Sequence, residues 1–495
     1  MAILIAAPAS GSGKTTMTLA MLAVLHRRGL VIQSFKVGPD YIDPMFHTAL
    51  SGIPCRNLDP ILSSVEYVQN CFATHVQARD GAIVEGVMGL FDGKAGSPCD
   101  QGSSAHIARL LGIPVVLVID GSGMGNSVAA LVYGLCHFDP RLTIAGVILN
   151  RVGSERHGSI LRQAVESVGI PVLGVVPREQ DLSLSSRHLG LVPVGELPAF
   201  ESLTDRLADL GEQCLDWDRL LPLVRDPTSS KNERSSSWGQ PDQFRGLRIA
   251  IAWDHAFNFY YADTFDLLRY LGAELVFFSP LSSGFENLGV DGLLLGGGFP
   301  ELFAPLLSER LRSFQFSYPI YAECGGLMVL GQQIIDLEQQ SHDMAGILPF
   351  STAMGSRLVL GYRQATVQQS TIVVKQGGSL WGHEFHRSQM VPNGSNQDPQ
   401  DRIFSWDNNQ TEGWALDRIH ASYLHLHWGG NPHLAHRFCN LANLQNFPDQ
   451  PRAEPGSTAG SIPVKQIPYP ACPAAHHQGS RSLRPPDGRL FWRTS

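Results

Sequence analysis

The chain alternates short apolar runs with stretches of helical period, and it does so twice. In the first half, residues 2–7, 30–35, 82–84, 114–120, 144–151 and 170–177 are apolar almost throughout, as in strands buried on both faces. Helical stretches separate them, the first running to about residue 28. This alternation predicts a doubly wound α/β domain that ends near residue 223. Residues 226–244 are polar, rich in Ser, Asn and Gln and without apolar period, which marks a linker. The rhythm then restarts, with strands at 247–252, 274–278 and 292–295, a helix at 262–272 and a strand-like run at 318–321. From about residue 446 the period is lost and Pro, Gly, Ser and Ala accumulate, as in a disordered tail. The predicted organisation is a domain at 1–223, a linker at 224–245, a second domain at 246–445 and a tail at 446–495.

Composition narrows the class. A chain of 495 residues suffices for two or three domains, and 43% hydrophobic with 17% charged residues suits a soluble globular enzyme. A net charge of −8 without a basic stripe argues against a nucleic-acid partner. The eight cysteines are scattered without CxxC pairs, which speaks against a disulfide framework or structural zinc and fits a reducing cytoplasm. The apolar start, residues 1–7, is too short for a signal segment, and no membrane span is expected. The expected location is cytoplasmic.

The first strand runs into Pro8-Ala9-Ser10-Gly11-Ser12-Gly13-Lys14-Thr15-Thr16 and then a helix. Strand, glycine-rich loop and helix form a phosphate cradle: amides of Gly11, Ser12 and Gly13 wrap the anion, and Lys14 reaches the outer phosphates. Thr15 or Thr16 holds magnesium. Pro8 stands where the usual loop has glycine, so this is a variant. In open α/β sheets ligands bind beyond the carboxyl ends of the strands. Lys36 and Asp40 follow the second strand, and Glu85 and Asp92 the third, so these acids are expected to converge on the phosphates as metal or substrate groups. Solvated loop charge is the plain alternative for any one of them. Asn150, at another strand end, is a candidate for an adenine edge.

In the second half, Tyr321-Ala322-Glu323-Cys324-Gly325-Gly326-Leu327-Met328 places a cysteine between a strand and a helix, with a small residue before it and two glycines after. That context allows the sharp turn that exposes a nucleophile, and the following helix is expected to favour thiolate. Gly296-Gly297-Gly298 follows an earlier strand; its amides, Gly297 and Gly298 foremost, suit an oxyanion hole or an ordinary turn. A thiolate nucleophile needs a base, and Ile419 to Trp428 supplies His420, His425 and His427. On a strand, His425 and His427 would share a face with Tyr423. No carboxylate or cysteine completes a tetrahedral metal set there, so Cys–His chemistry leads. Trp381-Gly382-His383-Glu384-Phe385-His386-Arg387-Ser388 reads either as a structural turn network or as a substrate-facing loop.

An ATP site and a Cys–His site on one chain are both explained by glutamine hydrolysis coupled to ATP-driven activation of a carboxylate. From Met1 to about residue 445 the chain resembles the cobyrinate a,c-diamide synthases, which amidate the corrin ring on the route to cobalamin. The residues carrying the resemblance are the phosphate loop at 8–16, Phe35-Lys36-Val37-Gly38-Pro39-Asp40-Tyr41-Ile42-Asp43-Pro44 and Glu85-Gly86-Val87-Met88-Gly89-Leu90-Phe91-Asp92-Gly93. Phe257-Asn258-Phe259-Tyr260-Tyr261, Gly382-His383-Glu384-Phe385-His386 and Ser422-Tyr423-Leu424-His425-Leu426-His427 complete them.

The resemblance implies a dethiobiotin-synthetase-like P-loop ATPase domain, binding ATP and the corrinoid, followed by a class I glutamine amidotransferase-like α/β domain. It makes Cys324 the nucleophile and selects His425 over His427 as the base, although both spacings are chemically workable. Class I triads add a Glu two residues beyond the His; His427 stands there, leaving a dyad. Lys36 and Asn150 join the phosphate loop in binding ATP. Thr15, Asp40 and Glu85 fall to Mg²⁺, and Asp40, Ile42 and Asp92 to the acceptor. The implied substrates are cobyrinate, glutamine and ATP, with a homodimer as a further expectation. Cobyric acid synthases are close relatives whose motifs differ at 36–43 and 85–92. Hydrogenobyrinate or nickel-sirohydrochlorin would suit the same chemistry. A partitioning-type ATPase switch would share the phosphate loop but leave Cys324 and His425 unused.

Overall fold

The computed structural model describes residues 2–97, 100–178, 186–187, 190–191, 200–225, 238–285, 288–312, 314–392, 402–407, 410–416 and 418–444. The expected tail at 446–495 and most of the expected linker lie outside the described residues. Among those described, no helix is long and apolar enough to cross a membrane.

The N-terminal domain contains β1 (Ala2–Ala6), α1 (Lys14–Arg27), β2 (Ile32–Val37), α2 (Ile42–Ser51), β3 (Arg56–Leu58), α3 (Val65–Val76) and β4 (Gly81–Glu85). It continues with α4 (Ser104–Leu111), β5 (Val115–Asp120), α5 (Ser127–His137), β6 (Ile144–Val152), α6 (Glu155–Glu166) and β7 (Val172–Pro177). A short pair, β8 (Ser186–Arg187) and β9 (Gly190–Leu191), precedes α7 (Phe200–Cys214) and α8 (Trp217–Val224). The first seven strands form one parallel sheet in the order β3-β2-β4-β1-β5-β6-β7.

Alternate residues of each strand feed opposite faces, which is why both faces need helices. Ile3 and Ile5 join Met17, Leu22, Phe46 and Leu207 on one side; Leu4 joins Val68, Ile107, Val128 and Leu161 on the other. Each such side chain contributes about 1.5–3 kcal/mol on full burial. Strand β3 was not anticipated, since Arg56-Asn57-Leu58 lacks an apolar run and lies at the sheet edge.

The second domain begins within the anticipated linker: Trp238 donates its indole N–H to Gly429 O (2.9 Å), and Phe244 is buried in the core. It then runs β10 (Arg248–Ala252), α9 (Ala262–Tyr270), β11 (Glu274–Phe278), α10 (Pro280–Ser283), β12 (Gly292–Leu295) and α11 (Ala304–Leu311). After these come β13 (Ile320–Glu323), α12 (Gly325–Leu330), β14 (Gln333–Ile335), β15 (Ser341–Asp343), β16 (Phe350–Val367) and β17 (Ser379–Pro392). The last elements are β18 (Phe404–Trp406), β19 (Gln410–Glu412), β20 (Trp414–Leu416), β21 (Ile419–Ser422) and α13 (His433–Asn443).

One sheet has the order β11-β10-β12-β13-β21-β20, parallel except for the β20–β21 pair. A further sheet, β15-β14-β16-β18-β19 with β17 on β16, had no counterpart in the sequence reading. The two domains meet at the carboxyl ends of their parallel strands. Tyr362 donates to Asp59 Oδ2 (2.8 Å), Asn431 to Leu62 O (2.8 Å), and Arg56 pairs with Asp266 (2.7 Å).

Candidate active site

The phosphate loop has the predicted backbone. Gly13 caps α1 with φ +101°, and a side chain there would meet the Asn150 amide at 2.2 Å, so only glycine fits. Lys14 turns back to bond Ala9 O (3.2 Å) and Met88 O (2.5 Å). Burial, with Lys36 next, brings its ammonium down to about 8. Thr15 rather than Thr16 reaches the acids: its hydroxyl donates to Glu85 Oε1 (2.6 Å) and Asp43 Oδ2 (3.2 Å). The buried Lys36 ammonium lies 2.5 Å from Asp43, 2.9 Å from Glu85 and 3.7 Å from Asp40.

Asp43 was not assigned from sequence, although it lies three residues after Asp40, close to it at the first turn of α2. Burial and then Asp40 push its carboxyl up to about 7. Asp40 itself accepts from Ile42 N and Asp43 N, so it also caps that helix. Glu85 has its second oxygen on His47 Nε2 (2.7 Å), whose Nδ1 faces Cys55 Sγ (3.4 Å). Hard oxygen donors beside an amide cradle fit a nucleotide-bound divalent cation.

Three residues singled out in the sequence take the following places. Ile42 is buried in the core beside Tyr41 and Phe46, and so supports Asp40 through its backbone instead of presenting a side chain to a ring. Asn150 donates to Ser12 O (3.0 Å) and accepts from Arg151 N (2.9 Å), so its side chain props the phosphate loop. Asp92 is exposed and accepts from Gly89 N (2.8 Å) at the mouth of the site.

In the second domain the elbow forms as expected. Cys324 has φ +48° and ψ −103°, a conformation that costs a non-glycine residue about 1–3 kcal/mol. A side chain at Gly326 would meet Leu295 O at 2.2 Å, so the turn requires glycine there. The expectation of a thiolate is corrected. Burial pushes the Cys324 thiol well up, Glu301 and Glu323 add to this, and the Gly325 amide opposes them without prevailing. A base must therefore take the proton during reaction.

His425 and His427 do not lie on a strand, because β21 ends at Ser422. The His425 ring lies against Gly297, where its Cε1 is 2.8 Å from the place a Cβ would occupy. The backbone N of Gly298 is 3.2 Å from the matching place at Gly325, so base, glycine turn and elbow adjoin. His425 is fully buried with both ring nitrogens unpartnered, and burial, then His383 and His386, bring it down to about 3. Neither ring nitrogen is tied up by another group, and no carboxylate bonds it among the described residues. His427 instead accepts from Gly430 N (3.0 Å) and packs on Tyr261 and Tyr67.

The segment left open by the sequence is a wall of this site. His383 exchanges backbone hydrogen bonds with His425 (3.0 and 2.9 Å), and Phe385 O lies 3.8 Å from Cys324 Sγ. His386 stacks on Tyr423. His425→Asn is expected to lower glutamine hydrolysis by about 10²–10⁴-fold, and His427→Asn far less. Equal losses in a glutaminase assay would remove His425 as the base.

Residues 3–192 match the CobQ/CobB/MinD/ParA nucleotide binding domain, and residues 248–433 the CobB/CobQ-like glutamine amidotransferase domain. The chain is 50% identical over 445 residues to the cobyrinate a,c-diamide synthase of Synechococcus sp., covering 88% of this chain and 97% of that one. It is 52% identical over 446 residues to the same enzyme of Gloeobacter violaceus, covering 88% and 96%. It is 41% identical over 479 residues to the hydrogenobyrinate a,c-diamide synthase of Streptomyces coelicolor, covering 88% and 96%.

Proposed function

The chain belongs to the cobyrinate a,c-diamide synthase family, glutamine-dependent carbon–nitrogen ligases, and from that premise we propose how its two sites act on one acceptor. ATP transfers its γ-phosphoryl group to a peripheral acetate carboxylate of cobyrinate, with Lys14 and Lys36 offsetting charge. The cation we propose is magnesium, which Thr15, Asp40, Asp43 and Glu85 would hold and which would neutralise phosphate charge. Cys324 attacks the glutamine amide carbon and passes its proton to His425, while the Gly297 and Gly298 turn accommodates the oxyanion. His425 returns the proton to the departing ammonia, leaving a glutamyl thioester that water hydrolyses. Ammonia then attacks the acyl phosphate, phosphate leaves, and an amide remains. The cycle repeats on the second acetate, giving the a,c-diamide.

One observation carries this reading. Tyr41 directly follows Asp40, and its ring lies 5.0 Å from that of His425 and 5.3 Å from that of Phe259. A single side chain thus separates the two chemistries. We assign the enzyme to the cytoplasm, where its substrates are available, and propose a homodimer on the general frequency of twofold assemblies.

The test is mass spectrometry of cobyrinate after incubation with the protein, ATP, Mg²⁺ and glutamine, beside hydrogenobyrinate and nickel-sirohydrochlorin. Two successive amidations of cobyrinate, each consuming one ATP, are expected. Preference for another ring would reassign the acceptor, and no mass change on any ring would overturn the reading.

A further inference from the structure

The mouth of the phosphate site is poor in free positive charge. Asp40, Asp43 and Glu85 gather round Lys36, the exposed Asp92 adds another negative charge after β4, and Lys14 is turned onto the carbonyls of Ala9 and Met88. A polycarboxylate acceptor must nevertheless approach. Lys94, two residues beyond Asp92, is half-buried and has no carboxylate partner among the described residues; its Nζ lies 3.8 Å from the ring centroid of Trp381.

Trp381 comes from the other domain. It sits on β17 opposite Gln364 of β16, half-buried against the core that contains Tyr41 and Ile42. Two steps along the same ladder, Tyr362 pairs with His383 and roofs the end of β2, its hydroxyl 3.8 Å from where a Cβ of Gly38 would lie. The β16–β17 hairpin therefore covers the strand ends that hold Lys36 and Asp40. A flat indole with an ammonium over its face complements a flat conjugated ring that bears carboxylates.

We propose that Lys94 and Trp381, one from each domain, form the subsite that receives the polycarboxylate macrocycle; the inference rests on the amidoligase reading above. Trp381 stacks on the ring, and Lys94 exchanges its aromatic partner for a carboxylate that is not the one being amidated. The subsite thereby helps fix which acetate reaches the phosphoryl group.

The experiment measures cobyrinate binding by absorbance titration, together with KM for cobyrinate, KM for ATP and glutamine hydrolysis, in the intact chain. Lys94→Met and Trp381→Leu should each weaken cobyrinate binding by roughly tenfold, the factor for one lost contact of this kind. ATP KM should hold in both variants and glutamine hydrolysis should hold in Lys94→Met, and Lys94→Arg should restore most of the binding. A cobyrinate affinity equal to wild type in Lys94→Met, with only thermal stability reduced, would show a structural clip and overturn the subsite. Trp381→Phe serves if Trp381→Leu fails to fold, and it should retain binding better than Lys94→Met. Wild-type binding without turnover would strike the functional reading and leave the subsite supported.

Discussion

Cys324→Ala is expected to abolish glutamine-dependent amidation, by about 10³-fold or more, while amidation from free ammonium persists. The reason is spatial. Cys324 stands at the tip of β13, between the glycine turn after β12 and the Phe385 carbonyl of β17. None of the phosphate-loop residues touches it, and the acids around Lys36 are hydrogen-bonded within their own domain. Removing one sulfur from a rigid elbow takes away the thioester without disturbing the acyl phosphate. Measuring both nitrogen donors on one preparation checks this, and loss of the ammonium reaction as well would contradict the division of labour.

Lys36→Met should have the second large effect, on stability and on catalysis together. Burial acts to lower the Lys36 pKa, but Asp43, Glu85 and Asp40 outweigh it and hold the ammonium charged. Taking this cation away leaves buried carboxylates uncompensated, a change that costs roughly 3–5 kcal/mol in comparable pairs. Burial also opposes the Glu85 carboxylate, yet Lys36 and His47 keep its pKa below the ordinary value. Glu85's part of the stability is therefore present at neutral pH and lost as pH falls through its depressed value. Amidation from either donor should fall by at least about a hundredfold, as when a charge-stabilising group is removed. Thermal denaturation and ammonium-dependent amidation read the two effects; a variant with wild-type stability and turnover would overturn the role given to Lys36.

Much of this was legible in the sequence, because both sites lie at strand-to-helix turns. Such turns need glycine next to a reactive residue, so Gly13-Lys14 and Cys324-Gly325-Gly326 announce themselves. Asp43 was hidden, since its weight comes from the 2.5 Å contact with Lys36, which spacing alone does not reveal. The thiolate expectation failed because α12 spans only six residues in a buried setting, where desolvation outweighs its amides. The β16–β17 hairpin escaped notice because its register shifts between Met354 and Val359, which breaks the alternation of a regular strand. With it went the roles of His383 and Phe385 beside the thiol. The contact of Tyr41 with His425 joins positions far apart in the chain, so no local pattern signals it.

The central claim is that ATP activates the very carboxylate that ammonia converts to an amide. The most direct measurement uses cobyrinate with oxygen-18 in its carboxylates, followed by mass spectrometry of the inorganic phosphate released. An acyl phosphate predicts one labelled oxygen in the phosphate for each amide formed. Unlabelled phosphate alongside normal amidation would contradict the account.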